Sequence, residues 1–307
     1  MRTRLARAIL AAIVVLMVAG CNGQGSVTII SAIPTPPESP LPLPSLFDGE
    51  AALDHIRAQM ALGPRPTGSV ESRRAGDYIA SQLRAFGWEV SEQEFEYLGT
   101  IARNIMGMRG EGPLIILGAH YDTRRRADRD AHDPTQPVPG ANDGASGVAV
   151  LLELARTLDA DATGYRLQLA FFDAEDNGGL DGWDWIAGSR YMANTLTVTP
   201  EMMVIVDMIG DADQQIYWEA NSTADLRERI WRVAAELGYS QYFIPQVGHS
   251  MLDDHTAFLE RGIPAVDIID FDYAYWHTTG DTLDKVSADS LERVGRTLQV
   301  WLEQGAS

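Results

Sequence analysis

Histidines and carboxylic acids follow the apolar segments of this 307-residue chain, and imidazole with carboxylate is the donor set a borderline-soft divalent cation accepts. His120 and Asp122 come after Leu114-Ile115-Ile116-Leu117, and Asp173, Glu175 and Asp176 come after Leu167-Gln168-Leu169-Ala170-Phe171-Phe172. Asp207 ends Met203-Val204-Ile205-Val206, and His277 stands in Tyr275-Trp276-His277-Thr278 beyond an apolar run near 263–270. Asp143 sits in the loop Pro139-Gly140-Ala141-Asn142-Asp143-Gly144, just ahead of a helical period. Taken singly, Asp143 could cap that helix, His120 could be a hydrogen-bonded core histidine, and Glu175 and Asp176 could be loop solvation. Together they converge, because ligands of open α/β sheets bind outside the carboxyl ends of the strands. Adjacent acids such as Glu175 and Asp176 repel one another there unless a cation or a shared proton relieves them. Zinc in tetrahedral or five-coordinate geometry is the first expectation.

The elements that must carry these residues alternate in period. Helical patterns run near 48–62, 70–86, 145–158, 184–194, 223–237, 253–261 and 287–303, and β-rich runs near 88–97, 101–108, 114–119, 166–172, 202–207, 214–219 and 263–270. Several of the β-rich runs are almost continuously apolar, as strands covered on both faces are. The expected fold is a three-layer α/β/α sandwich with a mixed, mostly parallel central sheet.

His120-Tyr121-Asp122, Gly140-Ala141-Asn142-Asp143-Gly144-Ala145-Ser146-Gly147, Phe172-Asp173-Ala174-Glu175-Asp176, Val206-Asp207-Met208-Ile209-Gly210 and Trp276-His277-Thr278 resemble, in that order, the zinc-dependent M28 peptidase clan, which includes glutaminyl-peptide cyclotransferases. The resemblance runs from about residue 63 to the C-terminus. It implies that Asp143, Asp176 and His277 hold one zinc, that Asp143 bridges to a second zinc on His120 and Asp207 in the aminopeptidases, that Glu175 is the general acid/base, and that Asp122 orients His120. One departure concerns Asp176, where the clan often has Glu. The shorter side chain implies a deeper ion or monodentate binding.

Two chemistries remain open on that scaffold. An aminopeptidase activates water between two metals and hydrolyses off the N-terminal residue. A glutaminyl cyclase needs one metal, and Glu175 moves a proton from the α-amine to the departing ammonia. Trp276 beside His277, and Trp183 or Trp185 after the acid pair, resemble the aromatic wall of the cyclases. Leu252-Asp253-Asp254-His255 resembles the motif whose first acid, Asp253, joins Glu175 and Asp207 in a hydrogen-bonded network, although Asp253 could instead only cap a helix. These features favour the cyclase. A binding module that has lost its chemistry is disfavoured, because every matched ligand position holds a residue able to coordinate metal. His55, His132 and His249 read as surface or packing residues, His255 as structural, and Arg65 receives no chemistry. The loop Arg124-Arg125-Arg126-Ala127-Asp128-Arg129-Asp130 reads as a solvated loop or, more sharply, as a rim contacting the peptide beyond its first residue.

Against 24 Lys and Arg stand 43 Asp and Glu, a formal charge of −19 that disfavours nucleic acid as a partner. Met1–Arg7 is basic, Ala8–Gly20 is an apolar run of 13 residues, and Val18-Ala19-Gly20-Cys21 resembles the lipobox of bacterial lipoproteins. The expectation is a signal peptide over 1–21 with lipidation at Cys21, a Pro/Ser-rich spacer over 22–46, and a catalytic domain over 47–307. The product is an exported, membrane-anchored monomer that meets peptide or protein N-termini and touches the membrane through its lipid alone. With Cys21 the one cysteine, no internal disulfide supports the fold.

Overall fold

The computed structural model describes residues 47–306. The expected signal peptide, Cys21 and the 22–46 spacer lie outside the described residues. In chain order the elements are α1 (Gly49–Met60), α2 (Val70–Ala85), β1 (Glu89–Tyr97), β2 (Thr100–Arg109), β3 (Leu114–His120), α3 (Ala145–Thr157), β4 (Arg166–Phe172), α4 (Ala187–Thr195), β5 (Met202–Asp207), β6 (Ile216–Glu219), α5 (Ala224–Glu236), β7 (Phe243–His249), α6 (Asp254–Leu259), β8 (Ala265–Ile269) and α7 (Ala288–Glu303). Among the described residues, no helix is long and apolar enough to cross a membrane.

Six strands form one sheet in the order β1-β2-β4-β3-β5-β8. β3, β4, β5 and β8 run parallel, and β1 and β2 add an antiparallel edge. Side chains of α1, α2, α3, α5 and α7 share one apolar core with one face of the sheet, and those of α4 and α6 pack against the other face. The fold is therefore the three-layer α/β/α sandwich with a mixed sheet. α7 shows the sequence logic clearly. Its buried Leu291, Val294, Leu298 and Trp301 recur at three- and four-residue spacing, and Ser287 caps it by accepting from the Ser290 N–H.

Topology fixes where a ligand can bind. β3 leads through α3 to β4 on one side, and β4 leads through α4 to β5 on the other, so the strand order reverses around β3. The crevice outside the carboxyl ends of β3, β4 and β5 lies at that reversal. α3 begins there without a side-chain cap, behind Gly144 at φ 88°, where an added Cβ would lie 2.8 Å from the His120 carbonyl. One turn later, a Cβ on Gly147 would lie 2.3 Å from the Val206 carbonyl of β5. Two glycines thus let α3 press against two strand ends at once.

β7 has no counterpart among the expected strands, since Pro245 and Gly248 interrupt its pattern and only Phe243 is buried. It pairs in parallel with β6 in a separate two-stranded sheet. α4 starts at Ala187, later than its helical pattern, because Ile186 takes a left-handed conformation at φ 58°.

Gly147→Ala should force α3 away from β5. We expect a loss of about 1–3 kcal/mol, seen as a thermal midpoint lowered by several degrees. An unchanged midpoint would mean that α3 can back away at no cost.

Candidate metal centre and substrate pocket

His120 ends β3, Glu175 and Asp176 follow β4, Asp207 ends β5, Asp143 precedes α3, and His277 lies in the loop after β8. All are buried. His120 Nε2 lies 3.1 Å from Asp143 Oδ1 and 3.2 Å from Asp207 Oδ1. On the other side of Asp143, His277 Nε2 lies 3.1 Å from Asp176 Oδ1 and 3.8 Å from Asp143 Oδ2. Two triads that share Asp143 could each hold an ion, with their ligand atoms within 4.8 Å of one another. Ligands 2.0–2.1 Å from a tetrahedral zinc stand about 3.3 Å apart, so the spacing fits. His277 adopts φ 60°, a strained conformation for a residue bearing a Cβ, which its surroundings must enforce.

The side chain of Asp143 makes no cap to α3, so its carboxylate is free to face the two histidines. Asp143 Oδ2 and Asp176 Oδ2 are buried with no hydrogen-bond partner. Burial and the neighbouring Asp143 push Asp176 up to about 6, against the pull of His277 and His120. Burial lifts Asp207 to about 7, with His120 opposing and Asp253 and Asp143 adding to the rise. Burial pushes Glu175 well above the usual carboxyl range, opposed by His120 and reinforced by Asp176, Asp254 and Asp253. Asp143 alone is lowered: burial works against ionisation, but His120, His277 and Arg124 outweigh it. Orphaned carboxylate oxygens and crowded acids are what a bound cation relieves.

Asp122 faces His120 Nδ1 at 3.6 Å and accepts from the backbone N–H groups of Glu175 (3.1 Å) and Asp176 (3.3 Å) and from Thr67 Oγ1 (3.0 Å). It therefore orients one histidine and both acids. Asp281, which the sequence did not single out, does the same for Asp143, accepting from the N–H groups of Asn142 (2.9 Å) and Asp143 (3.1 Å). Arg65 does have a task. Fully buried, it donates to the carbonyls of Tyr121 (3.1 Å), Pro139 (3.2 Å) and Gly140 (2.8 Å), clamping the loops that carry Asp122 and Asp143.

The 124–130 loop is not uniformly solvated. Arg124 is 3% exposed, pairs with Asp128 at 2.7 Å and donates to the carbonyls of Asp176 (3.0 Å) and Gly178 (3.2 Å). Nothing in the run of three arginines distinguishes this one from its half-buried neighbours. Asp128 in turn lies 3.7 Å from His277 Nδ1.

A cavity of about 300 Å³ opens beside the triads, with Glu175, Asp207 and Asp253 next to Trp185, Trp276, Met208, Leu252 and Phe271. Trp185 stacks on His277 with ring centroids 5.8 Å apart, and Trp276 contacts the same imidazole at 3.9 Å. The structure corrects the wall at Trp183. That side chain is buried elsewhere, against Phe95, Ala102 and Ala187, with the Arg125 guanidinium 4.6 Å above its ring, and it does not line the cavity.

Asp253 both lines the cavity and caps α6, accepting from the Asp254 N–H. Behind it His255 faces Glu219 at 3.2 Å and Asp267 at 3.7 Å, all three without exposure. Glu219 also accepts from the Met251 N–H (3.1 Å) and the Ser222 N–H (2.7 Å), which pins the Ser250–Leu252 wall of the cavity. Burial pushes Glu219 up, but His255 and the backbone donors bring it down to about 2. The signal for Asp267 was present in the sequence, as one charge within the apolar strand Ala265-Val266-Asp267-Ile268-Ile269.

An α/β/α sandwich whose strand ends gather two buried histidine–carboxylate triads around one shared aspartate is the framework of a metal-dependent enzyme. The chain belongs to peptidase family M28, whose profile matches residues 103–302. It is 30% identical over 266 residues to the protein YfbL of Escherichia coli (strain K12), covering 75% of this chain and 80% of YfbL. Among solved structures it is similar to the Porphyromonas gingivalis glutaminyl cyclase, with 34% identity and a TM-score of 0.79 over 85% of this chain and 99% of that one. It is also similar to a Zn-dependent exopeptidase from Parabacteroides distasonis, with 33% identity and a TM-score of 0.78 over 84% and 98% of the two chains.

Asp122→Asn should keep the fold and loosen the centre. We expect divalent-metal affinity, measured by titration with a competing chelator, to fall by roughly 10–100-fold with an unchanged circular-dichroism spectrum. Unaltered affinity would deny Asp122 any part in orienting His120 and the acid pair.

Proposed function

We propose that this chain is a zinc-dependent glutaminyl-peptide cyclotransferase, converting the N-terminal glutamine of peptides to pyroglutamate with release of ammonia, and that it uses one ion held by Asp143, Asp176 and His277. One observation carries the single-ion form. Of the carboxylates in the two triads, Asp143 and Asp176 each keep a buried oxygen with no hydrogen-bond partner, whereas Asp207 is hydrogen-bonded to His120 at 3.2 Å. The similarity to solved glutaminyl cyclases and the small, aromatic-walled cavity support the substrate. The zinc, when bound, polarises the γ-carbonyl of that glutamine.

The protein's own residues supply the remainder. Trp185 and Trp276 wall the cavity that takes the glutamine side chain and exclude water from it. As the α-nitrogen bonds to the carbonyl carbon of the side-chain amide, the Glu175 carboxylate accepts a proton from that nitrogen. When the carbon–amide bond breaks, Glu175 returns the proton to the departing nitrogen, which leaves as ammonia. Burial holds the Glu175 carboxyl well above its usual range, so it keeps a proton more readily than a solvated carboxyl does. Asp253, on the same cavity, adds to that rise, and Asp207 lines the cavity beside it.

A di-zinc aminopeptidase is the second reading, favoured by the ligand-like spacing of the His120–Asp143–Asp207 triad and by the exopeptidase relative. Mass spectrometry of a glutamine-headed peptide decides between them. We expect a loss of ammonia and a blocked N-terminus, and release of free N-terminal residues would instead establish the peptidase. Glu175→Gln should abolish turnover, with metal still bound. An active variant would remove Glu175 from the proposed mechanism.

We further propose that the chain is exported and tethered by lipid at Cys21, which the basic, apolar and lipobox-like order of residues 1–21 supports. Labelled fatty acid should enter the native chain in a bacterial host but not Cys21→Ala. Equal labelling of both would refute the tether.

A further inference from the structure

We propose that Arg129 is a specificity-determining residue that favours peptides carrying a carboxylate on the first or second residue after the N-terminal glutamine; the inference rests on the cyclotransferase reading. The loop after β3 carries four arginines. Arg124 is neutralised by Asp128 at 2.7 Å, and Arg125 and Arg126 share Asp181 at 3.7 and 2.9 Å. Among the described residues, Arg129 has no carboxylate within the 4.0 Å of an ion pair.

Its position is nevertheless fixed. The guanidinium carbon lies 4.0 Å from the ring centre of Trp276, and the backbone N–H donates to the His277 carbonyl at 3.3 Å. Trp276 is half-buried and lines the cavity, whereas Arg129 is exposed. A guanidinium held over an aromatic ring keeps its N–H edges available for a planar carboxylate. The residue thus presents a localised, uncompensated cation beside the wall over which a peptide must leave once its first side chain is seated.

The acids nearby are already engaged. Asp128 serves Arg124 and faces His277, and Asp130 accepts from the N–H groups of His132 (2.8 Å), Asp133 (3.0 Å) and Thr279 (2.9 Å). Asp272, next to the cavity residue Phe271, faces His249 at 3.5 Å. The chain's formal charge of −19 opposes acidic peptides at long range, so the effect of Arg129 is a local one and is read as a ratio between substrates. An exposed pair of this kind changes kcat/KM by about two- to fivefold.

The test measures ammonia release from three C-terminally amidated peptides, Gln-Glu-Ala, Gln-Ala-Ala and Gln-Lys-Ala, with the native zinc-loaded protein and with Arg129→Gln, Arg129→Lys and Arg129→Glu. We expect the native protein to prefer the Glu peptide over the Lys peptide by several-fold at low salt. The preference should shrink at high salt, collapse in Arg129→Gln, survive in Arg129→Lys and invert in Arg129→Glu. An equal fall on all three peptides would reduce Arg129 to a packing partner of Trp276 and overturn the proposal, as would a ratio indifferent to the substitutions. If the native protein turns over none of the three, the cyclotransferase reading fails and this inference falls with it. Turnover of Gln-Ala-Ala with an unmoved ratio would sink the inference alone.

Discussion

Mutual repulsion among buried carboxylates governs this structure. Asp143, Glu175, Asp176, Asp207 and Asp253 line one cavity with His277, His120 stands against Asp143 and Asp207, and burial raises Glu175, Asp176 and Asp207 above the usual carboxyl range. Asp143 Oδ2 and Asp176 Oδ2 lie out of water and without a donor, an arrangement that a bound positive charge relieves. His277 on one side and His120 on the other set where that charge can sit.

Much of the surrounding architecture serves to hold those groups in spite of the repulsion. Asp122 and Asp281 spend their oxygens on backbone N–H groups of the acid-bearing loops, and Arg65 ties the same loops through their carbonyls. Gly144 and Gly147 let α3 approach His120 and Val206 closely enough for Asp143 to stand between two histidines. Glu219 and His255 perform a comparable task beneath the opposite wall, linking β6 to the loop at Met251 and to the start of α6. Each of these residues stands where ordering the site requires it, and none of them lines the cavity.

What could be read from the sequence follows from range. The strands showed because each is a local apolar run, and the ligands showed because topology places them directly after those runs. Asp143 stayed ambiguous between a cap and a ligand until Gly144 proved to be the uncapped start of α3. Trp183 and Trp185 are two residues apart on an irregular turn, and only the left-handed Ile186 and the packing of Phe95 decide which one faces the cavity. Arg124, Arg65 and Asp281 were illegible for a related reason. The contacts that tie them to the site are to backbone atoms distant in sequence, which have no residue type to search for. β7 was hidden by its own Pro245 and Gly248.

Anomalous diffraction at the zinc edge, on crystals of the zinc-loaded protein, tests the central claim most directly. The account predicts one strong peak within bonding distance of Asp143, Asp176 and His277, with His120 still hydrogen-bonded to Asp207. Absence of a peak between those three side chains would contradict it.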